Sequence, residues 1–278
     1  MIRLIRVVLV VLFCIALVSA AALFFYVRTT EDNTPPEFHV EADLIEVSVT
    51  DPDAALLQGL TATDDRDGDL TEEIRIQTHS SFMGNAEFTV SYIVFDQASN
   101  YATYTRRARY VDYVSPRFEL TRPMTFGVNE TVRFDGTVVV QDLLEGDISG
   151  RVKLEKSTVV NTIPGTYQVV LSAANRMGDT VTLPLSVQIV DNSRTRAQIT
   201  LRDYLIYAHM GDELDYSQYL SKVTDPMEKD QSVVIPLSSV SINDSNVRLS
   251  TPGTYEVYYY YTGISGETAT AILTVVVE

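Results

Sequence analysis

The sequence has no tryptophan, one cysteine and three histidines among its 278 residues. The single thiol, Cys14, lies inside an apolar N-terminal run, which leaves no cysteine in the rest of the chain for a disulfide. An exported chain built this way must be held together by its cores alone, unlike small disulfide-stapled secreted scaffolds. His39, His79 and His209 fall in distant segments, with no His-Glu-x-x-His pattern, Gly-x-Ser-x-Gly elbow or glycine-rich phosphate loop. Carboxylates are so frequent that no pair of them singles out glycoside hydrolysis. These absences argue against an enzyme. Positive charge is also scarce: 21 basic residues stand against 37 acidic ones, a net charge of −16. Such a chain lacks the basic patch that phosphate contacts require, so nucleic acid is not an expected partner.

What is present begins with an address. Arg3 and Arg6 precede an uncharged, almost wholly apolar run from Val7 to Val27, and Arg28 restores charge. A helix of that length spans roughly 30 Å, the thickness of a bilayer's hydrocarbon core. The expectation is a cytoplasmic stub at 1–6, an uncleaved transmembrane signal anchor at 7–27 and a linker at 28–35. The basic end lies inside by the positive-inside rule, and Phe24, Phe25 and Tyr26 form an interfacial belt. The competing reading is a cleavable signal peptide cut after Ala20 in Val18-Ser19-Ala20, which gives a secreted protein instead of a single-pass one. Three of the 21 basic residues flank the span, which leaves 18 against 37 acids and a net charge of −19 beyond it.

The remainder repeats itself. Glu87-Phe88-Thr89-Val90 opens one alternating segment, Pro164-Gly165-Thr166-Tyr167 a second and Pro252-Gly253-Thr254-Tyr255 a third. Phe88, Tyr167 and Tyr255 are equivalent, at spacings of 79 and 88 residues. Each segment runs into a short turn and a second alternating strand, as in a β-hairpin with one buried face. Period two predicts Tyr167, Val169, Leu171 and Ala173 inward, and Tyr259 and Tyr261 inward with Tyr258 and Tyr260 outward. Short strands without amphipathic helices indicate an all-β chain: three tandem Ig-like antiparallel β-sandwiches at 36–112, 113–191 and 197–278, after one N-terminal transmembrane helix. The short joint at 192–196 suggests end-to-end stacking, with a reach on the order of 100 Å.

The first repeat carries Thr34-Pro35-Pro36-Glu37-Phe38, Gly59-Leu60-Thr61-Ala62-Thr63-Asp64-Asp65, Asp67-Gly68-Asp69-Leu70-Thr71, Val90-Ser91-Tyr92 and Asp96-Gln97-Ala98-Ser99-Asn100. Across 34–112 it resembles the bacterial Ig-like domain family found in tandem on Gram-positive surface proteins, related to the hyalin-repeat type. The second repeat keeps Pro116, Gly146-Asp147-Ile148 and the Pro-Gly-Thr-Tyr strand; the third keeps little beyond Pro252 to Tyr255. The resemblance implies an Ig-like sandwich, usually without catalysis, and no particular ligand.

Two groups of side chains are candidates for chemistry. Asp64, Asp65, Asp67 and Asp69, with Asp96 across the fold, offer the hard oxygen ligands that calcium prefers, although no EF-hand pattern is present. Turn chemistry explains the same residues without a metal, since Asp and Gly bend and cap loops. Asn175 and Gly263 stand where Asp96 stands in the first repeat, so one calcium site at most is expected. Tyr258 and Tyr260 are the second candidate, an aromatic pair about 7 Å apart that suits stacking on a sugar or a partner protein. Tyrosine is also simply a good strand former. The functional expectation is a bacterial, membrane-anchored surface protein whose Ig-like modules bind a surface protein or cell-wall glycan. The alternative is a structural spacer of the cell envelope with no strong ligand.

Overall fold

The computed structural model describes residues 2–191, 195–230 and 233–278. Of the joint expected at 192–196, residues 192–194 lie outside the described residues. The chain forms two compact units, Met1–Tyr113 and Val114–Glu278.

Helix α1 (Ile2–Thr30) opens the first unit. Its stretch Leu4–Val27 has a mean hydropathy of 3.1, and none of its most apolar window is buried against protein. That length and composition suit a membrane span or a signal sequence. The helix continues into the segment expected to be linker, because nothing before Pro35-Pro36 breaks it.

Seven strands follow in the first unit: β1 (Glu37–Val40), β2 (Leu44–Val47), β3 (Leu60–Asp64), β4 (Gly68–Asp69), β5 (Arg75–His79), β6 (Glu87–Phe95) and β7 (Tyr101–Tyr110). They form two sheets, ordered β1-β3-β4 and β2-β7-β6-β5. The second unit repeats the plan twice. Its first sandwich has β8 (Arg117–Leu120), β9 (Thr125–Gly127), β10 (Val138–Asp142), β11 (Gly146–Asp147), β12 (Lys153–Ser157), β13 (Gly165–Ala174) and β14 (Thr180–Val190). Its second has β15 (Gln198–Leu201), β16 (Leu205–Ala208), β17 (Leu220–Thr224), β18 (Ser241–Asn243), β19 (Gly253–Thr262) and β20 (Thr268–Val277). The sheets are β11-β10-β8 with β12-β13-β14-β9, and β15-β17 with β16-β20-β19-β18. The protein is therefore a set of three two-sheet β-sandwiches after one apolar helix.

The pairing is not wholly antiparallel. In each sandwich the second strand crosses to the other sheet and lies parallel to the last strand: β2 on β7, β9 on β14 and β16 on β20. Parallel neighbours need a long connection, and here the rest of the sandwich supplies it. The three closing hairpins are antiparallel and in register as the repeats require, with Phe88 opposite Ala108, Tyr167 opposite Val187 and Tyr255 opposite Val275.

Alternation places the cores. Phe88, Val90, Tyr92 and Val94 on β6 are all fully buried, as are Leu171 on β13 and Val257 and Tyr259 on β19. The hairpin turns are superimposable in chemistry. Asp96, Asn175 and Gly263 each donate a backbone N–H to the residue four further on. The left-handed position of that turn is Gly178 (φ 83°) and Gly266 (φ 81°) in the last two sandwiches, but Ser99 (φ 72°) in the first. A side chain in this conformation costs about 1 kcal/mol. Ser99→Gly is accordingly expected to raise the stability of the first unit by about 0.5–1 kcal/mol in urea unfolding.

Within the second unit the two sandwiches do not meet end to end. Ser186, mid-strand on β14, donates its N–H to Glu256 on β19 at 3.0 Å, and Phe118 N–H donates to Tyr207 Oη at 2.8 Å. Arg117 lies over the Tyr207 ring at 4.7 Å and pairs with Glu278 at 2.5 Å. Leu120 packs against both cores. Strand interiors make these contacts, so the joint runs along the sheets. It also explains why Ser186 and Gln188, outward by alternation, are buried.

Candidate functional site

The acidic cluster of the first sandwich sits where the β3–β4 turn meets the β6–β7 turn. Asp64 is the last residue of β3. Its Oδ1 accepts the N–H of Arg66 and of Asp67, both at 2.9 Å. These amides, Asp67 first, hold its carboxyl below the usual range. Its Oδ2 is enclosed and accepts no hydrogen bond from any described residue. Asp96 faces it from the end of β6, accepting Asn100 N–H and Asn100 Nδ2–H, each at 2.7 Å. The third carboxylate belongs to Asp32, just past α1. One oxygen from each of Asp32, Asp64 and Asp96 lies within 4.8 Å of the other two.

The other three sequence candidates do not join them. Asp65 is exposed on the turn. Asp67 spends Oδ2 on Gln97 N–H at 2.7 Å, tying the two turns together. Asp69 accepts Thr71 N–H at 2.9 Å, and Thr71 lowers its carboxyl. A tight hairpin turn cannot aim four successive carboxylates at one point, so two of them brace backbone and one faces solvent. Asp32 carries no motif in the sequence and stands 32 residues from Asp64. The chain holds it through Asn100, whose Nδ2–H reaches Asp32 O at 3.2 Å, and through Thr34 N–H on its Oδ1 at 3.0 Å.

The second unit builds the same corner twice with different partners. In its first sandwich, Asp142 Oδ1 accepts Leu144 N–H and Glu145 N–H, and its Oδ2 accepts Asn175 Nδ2–H at 3.0 Å. In its second, Asp225 Oδ1 accepts Met227 N–H, and Oδ2 accepts Ile264 N–H at 2.7 Å. Both aspartates are buried, 5% and 3% exposed, and both have both oxygens satisfied. Among the described residues, only the first sandwich brings two further carboxylates to the buried aspartate.

Glu145 occupies the Asp67 position and is neutralised instead. Arg151 reaches it at 2.9 and 2.5 Å, and Arg176 donates its N–H at 2.5 Å and its Nε at 3.1 Å. Arg151 above all pulls the Glu145 carboxyl down from 4.5 to about 2. A folded value below the unfolded one stabilises the fold above pH ~4.5, and that contribution is lost as pH falls toward ~2. Glu145→Gln should therefore cost about 1–2 kcal/mol at pH 7. Its melting temperature should converge with wild type as pH is lowered through that window, a comparison made by circular dichroism.

Tyr258 and Tyr260 stack face to face, with centroids 6.2 Å apart and planes 7° from parallel. They are half-buried, not the open pair that alternation suggests. Tyr258 Oη donates to Glu256 at 2.6 Å, and burial followed by that carboxylate pushes its phenol up to about 12. Tyr259 is fully buried, whereas Tyr261 is only partly so. Through Glu256, which also accepts Ser186 N–H, Tyr258 takes part in the contact between the two sandwiches. The exposed apolar surface of this sandwich lies elsewhere. Met227 and Ile264 flank Asp225 at 43% and 60% exposure, and Val233 and Val234 follow on the same loop at 52% and 86%. No pattern in the sequence marks Met227, Val233 and Val234, which fall in a segment without periodicity.

The histidines stay apart: His39 Nε2 bonds Thr63 Oγ1, His79 lies against Phe88, and His209 faces Asp212. No protein-family model matches the chain, and no curated protein matches it. Among solved structures, it is similar to the CBM51-2 and INT domains of ZmpB from Clostridium perfringens, in complex with GlcNAc (15% identity, TM-score 0.23, 53% of this chain and 26% of that one). It is also similar to the protocadherin GammaB4 extracellular domain (13%, TM-score 0.19, 88% and 50%). A lipoprotein of Bacteroides thetaiotaomicron is a third (13%, TM-score 0.21, 86% and 98%). The chain spans between a quarter and a half of the first two structures. Likenesses of this size carry no functional argument.

Proposed function

We propose that the protein is a bacterial, single-pass, membrane-anchored surface protein whose β-sandwiches bind a partner at the envelope, without catalysis. The helix at Leu4–Val27 supports the anchor, since no residue in its most apolar window is covered by protein. The observation that favours binding over the spacer reading is the apolar set on the last sandwich, Met227, Val233, Val234 and Ile264, on an otherwise acidic chain. Exposed apolar side chains on the loop that carries Met227, Val233 and Val234, and at Ile264 on the β19–β20 turn, suit a protein surface, and the lack of tryptophan disfavours a glycan.

Two measurements test the reading. Protease added to intact cells should digest the body beyond residue 31, and protection of the body would refute surface display. Full-length protein in nanodiscs should co-sediment with isolated cell envelopes, and protease treatment of those envelopes should abolish the effect. The Val233→Ser/Val234→Ser double variant should lose binding at least fivefold with its melting temperature unchanged. Equal sedimentation of variant and wild type, or none by either, would favour the spacer.

A further inference from the structure

We propose that Asp32, Asp64 and Asp96 form a calcium site that fastens the segment after α1 to the tip of the first sandwich. Three carboxylate oxygens within 4.8 Å of one another fit one coordination sphere of radius ~2.4 Å, the distance calcium keeps to oxygen. Mutual repulsion otherwise opposes that approach, most of all where water is excluded. Asp64 and Asp96 are 8% and 7% exposed, and the Asp32 side chain is 9% exposed.

The second argument is the enclosed Asp64 Oδ2, a carboxylate oxygen with no hydrogen-bond donor among the described residues. Such groups are costly to bury and call for a partner. The protein shows twice how it supplies one from its own atoms: an asparagine amide at Asn175 and a backbone N–H at Ile264. In the first sandwich both solutions are given up, and acids stand in the donor's place. A change from donor to acceptor around the same buried carboxylate makes sense if the partner is a cation.

Among the described residues, one cation pairs with the triad. Arg66 Nε lies 3.9 Å from Asp32 Oδ2, beyond hydrogen-bond length, and its side chain is 45% exposed. Counted over the described residues, three carboxylates against that one guanidinium leave two negative charges in excess. A solvent-open cleft lined by Glu31, Asn33, Asp67 and Gln97 adjoins the triad. It gives room for water to complete the six to eight oxygens that calcium takes. Asp32 lies two residues beyond the end of α1, so binding joins that segment to both turns of the sandwich.

The test uses the full chain in detergent, stripped with chelator and titrated with calcium chloride in a calorimeter. Wild type should bind one calcium with a dissociation constant on the order of 10⁻⁴ M, typical of exported modules. Its melting temperature should rise with calcium, and cleavage at Glu31 by endoproteinase Glu-C should slow at least fivefold. Asp96→Asn copies the Asn175 arrangement. It should fold, lose at least tenfold in calcium affinity, and melt without calcium no lower than wild type. Asp32→Asn should weaken binding similarly, and Asp65→Asn should leave it unchanged. No heat and no melting shift in wild type at calcium on the order of 10 mM would overturn the site. So would full affinity in Asp96→Asn. Binding without slower cleavage at Glu31 would overturn the clamp. Each outcome is independent of whether the last sandwich binds a partner.

Discussion

Tyr259→Ala should destabilise the second unit by about 3–5 kcal/mol, the usual cost of removing a large aromatic from a packed core. Tyr259 has no exposed surface, sits mid-strand on β19, and belongs to the core formed with Leu201, Leu220, Val257 and Leu273. Little can collapse into the space, because β18 and β20 hold β19 on both sides in fixed register. Its hydroxyl donates to Tyr216 O at 2.8 Å, pinning the short 3₁₀ turn Tyr216–Tyr219. Burial pushes this phenol well above its usual pKa, so it remains a donor across the pH range where the protein is folded. Tyr259→Phe separates the two contributions: the ring stays, the Tyr216 carbonyl loses its donor, and the loss should be about 1–2 kcal/mol. Urea unfolding of the two variants checks both figures. An alanine variant within 1 kcal/mol of wild type would show that this core is not packed as described.

The first unit uses the same device. Tyr92, at the Tyr259 position of β6, donates to Leu56 O at 2.7 Å in the 3₁₀ turn Asp53–Leu57. There the carbonyl is shared with Arg106, whose Nη2 reaches it at 2.5 Å and whose Nε donates to Tyr92 Oη at 3.1 Å. The middle sandwich has Leu171 at this position and no hydroxyl to place. The repeat in sequence, read from Phe88, Tyr167 and Tyr255, located these strands because alternation and turn residues are local signals. What it could not carry is the second sheet of each sandwich. Strands of two to five residues such as β4, β9 and β11 have too little pattern, and their partners are set by contacts far along the chain. The parallel pairings and the lateral joint in the second unit were illegible for the same reason. A strand that is polar by alternation reads as solvent-facing until the neighbour that covers it is known, as Ser186 and Gln188 show.

The acidic corner was half legible. Asp64 and Asp96 stood out as carboxylates in turns, and both belong to it. Asp65, Asp67 and Asp69 looked equally suitable because spacing along a turn does not reveal which oxygens the backbone takes. Asp32 escaped notice because long-range proximity, supplied by Asn100, leaves no mark in the local sequence. The exchange of Asp96 for Asn175 and Gly263 was visible, but its meaning depends on what each residue faces.

Gly263 gives that exchange its sharpest consequence. A Cβ there would stand 2.7 Å from Asp225 Oδ2 and 3.2 Å from Ala197 Cβ. Asp225 cannot swing aside cheaply, since its two oxygens are held by Met227 N–H at 2.9 Å and Ile264 N–H at 2.7 Å and it is 3% exposed. Gly263→Ala must therefore break a charge-assisted bond or displace the strand end that carries Ala197. The expected loss is about 2–3 kcal/mol in the second unit, far more than an alanine costs in an open turn. Gly266→Ala makes the counterpart. It meets no atom within 4 Å, so its cost comes only from a φ of +81° and should be about 1 kcal/mol. If urea unfolding finds the two equal, the close approach of the carboxylate is not what selects glycine at position 263. If Gly263→Ala is the worse by at least 1 kcal/mol, it is. The last sandwich then satisfies its buried aspartate by bringing backbone close, where the middle one uses an amide and the first sets two further carboxylates beside it.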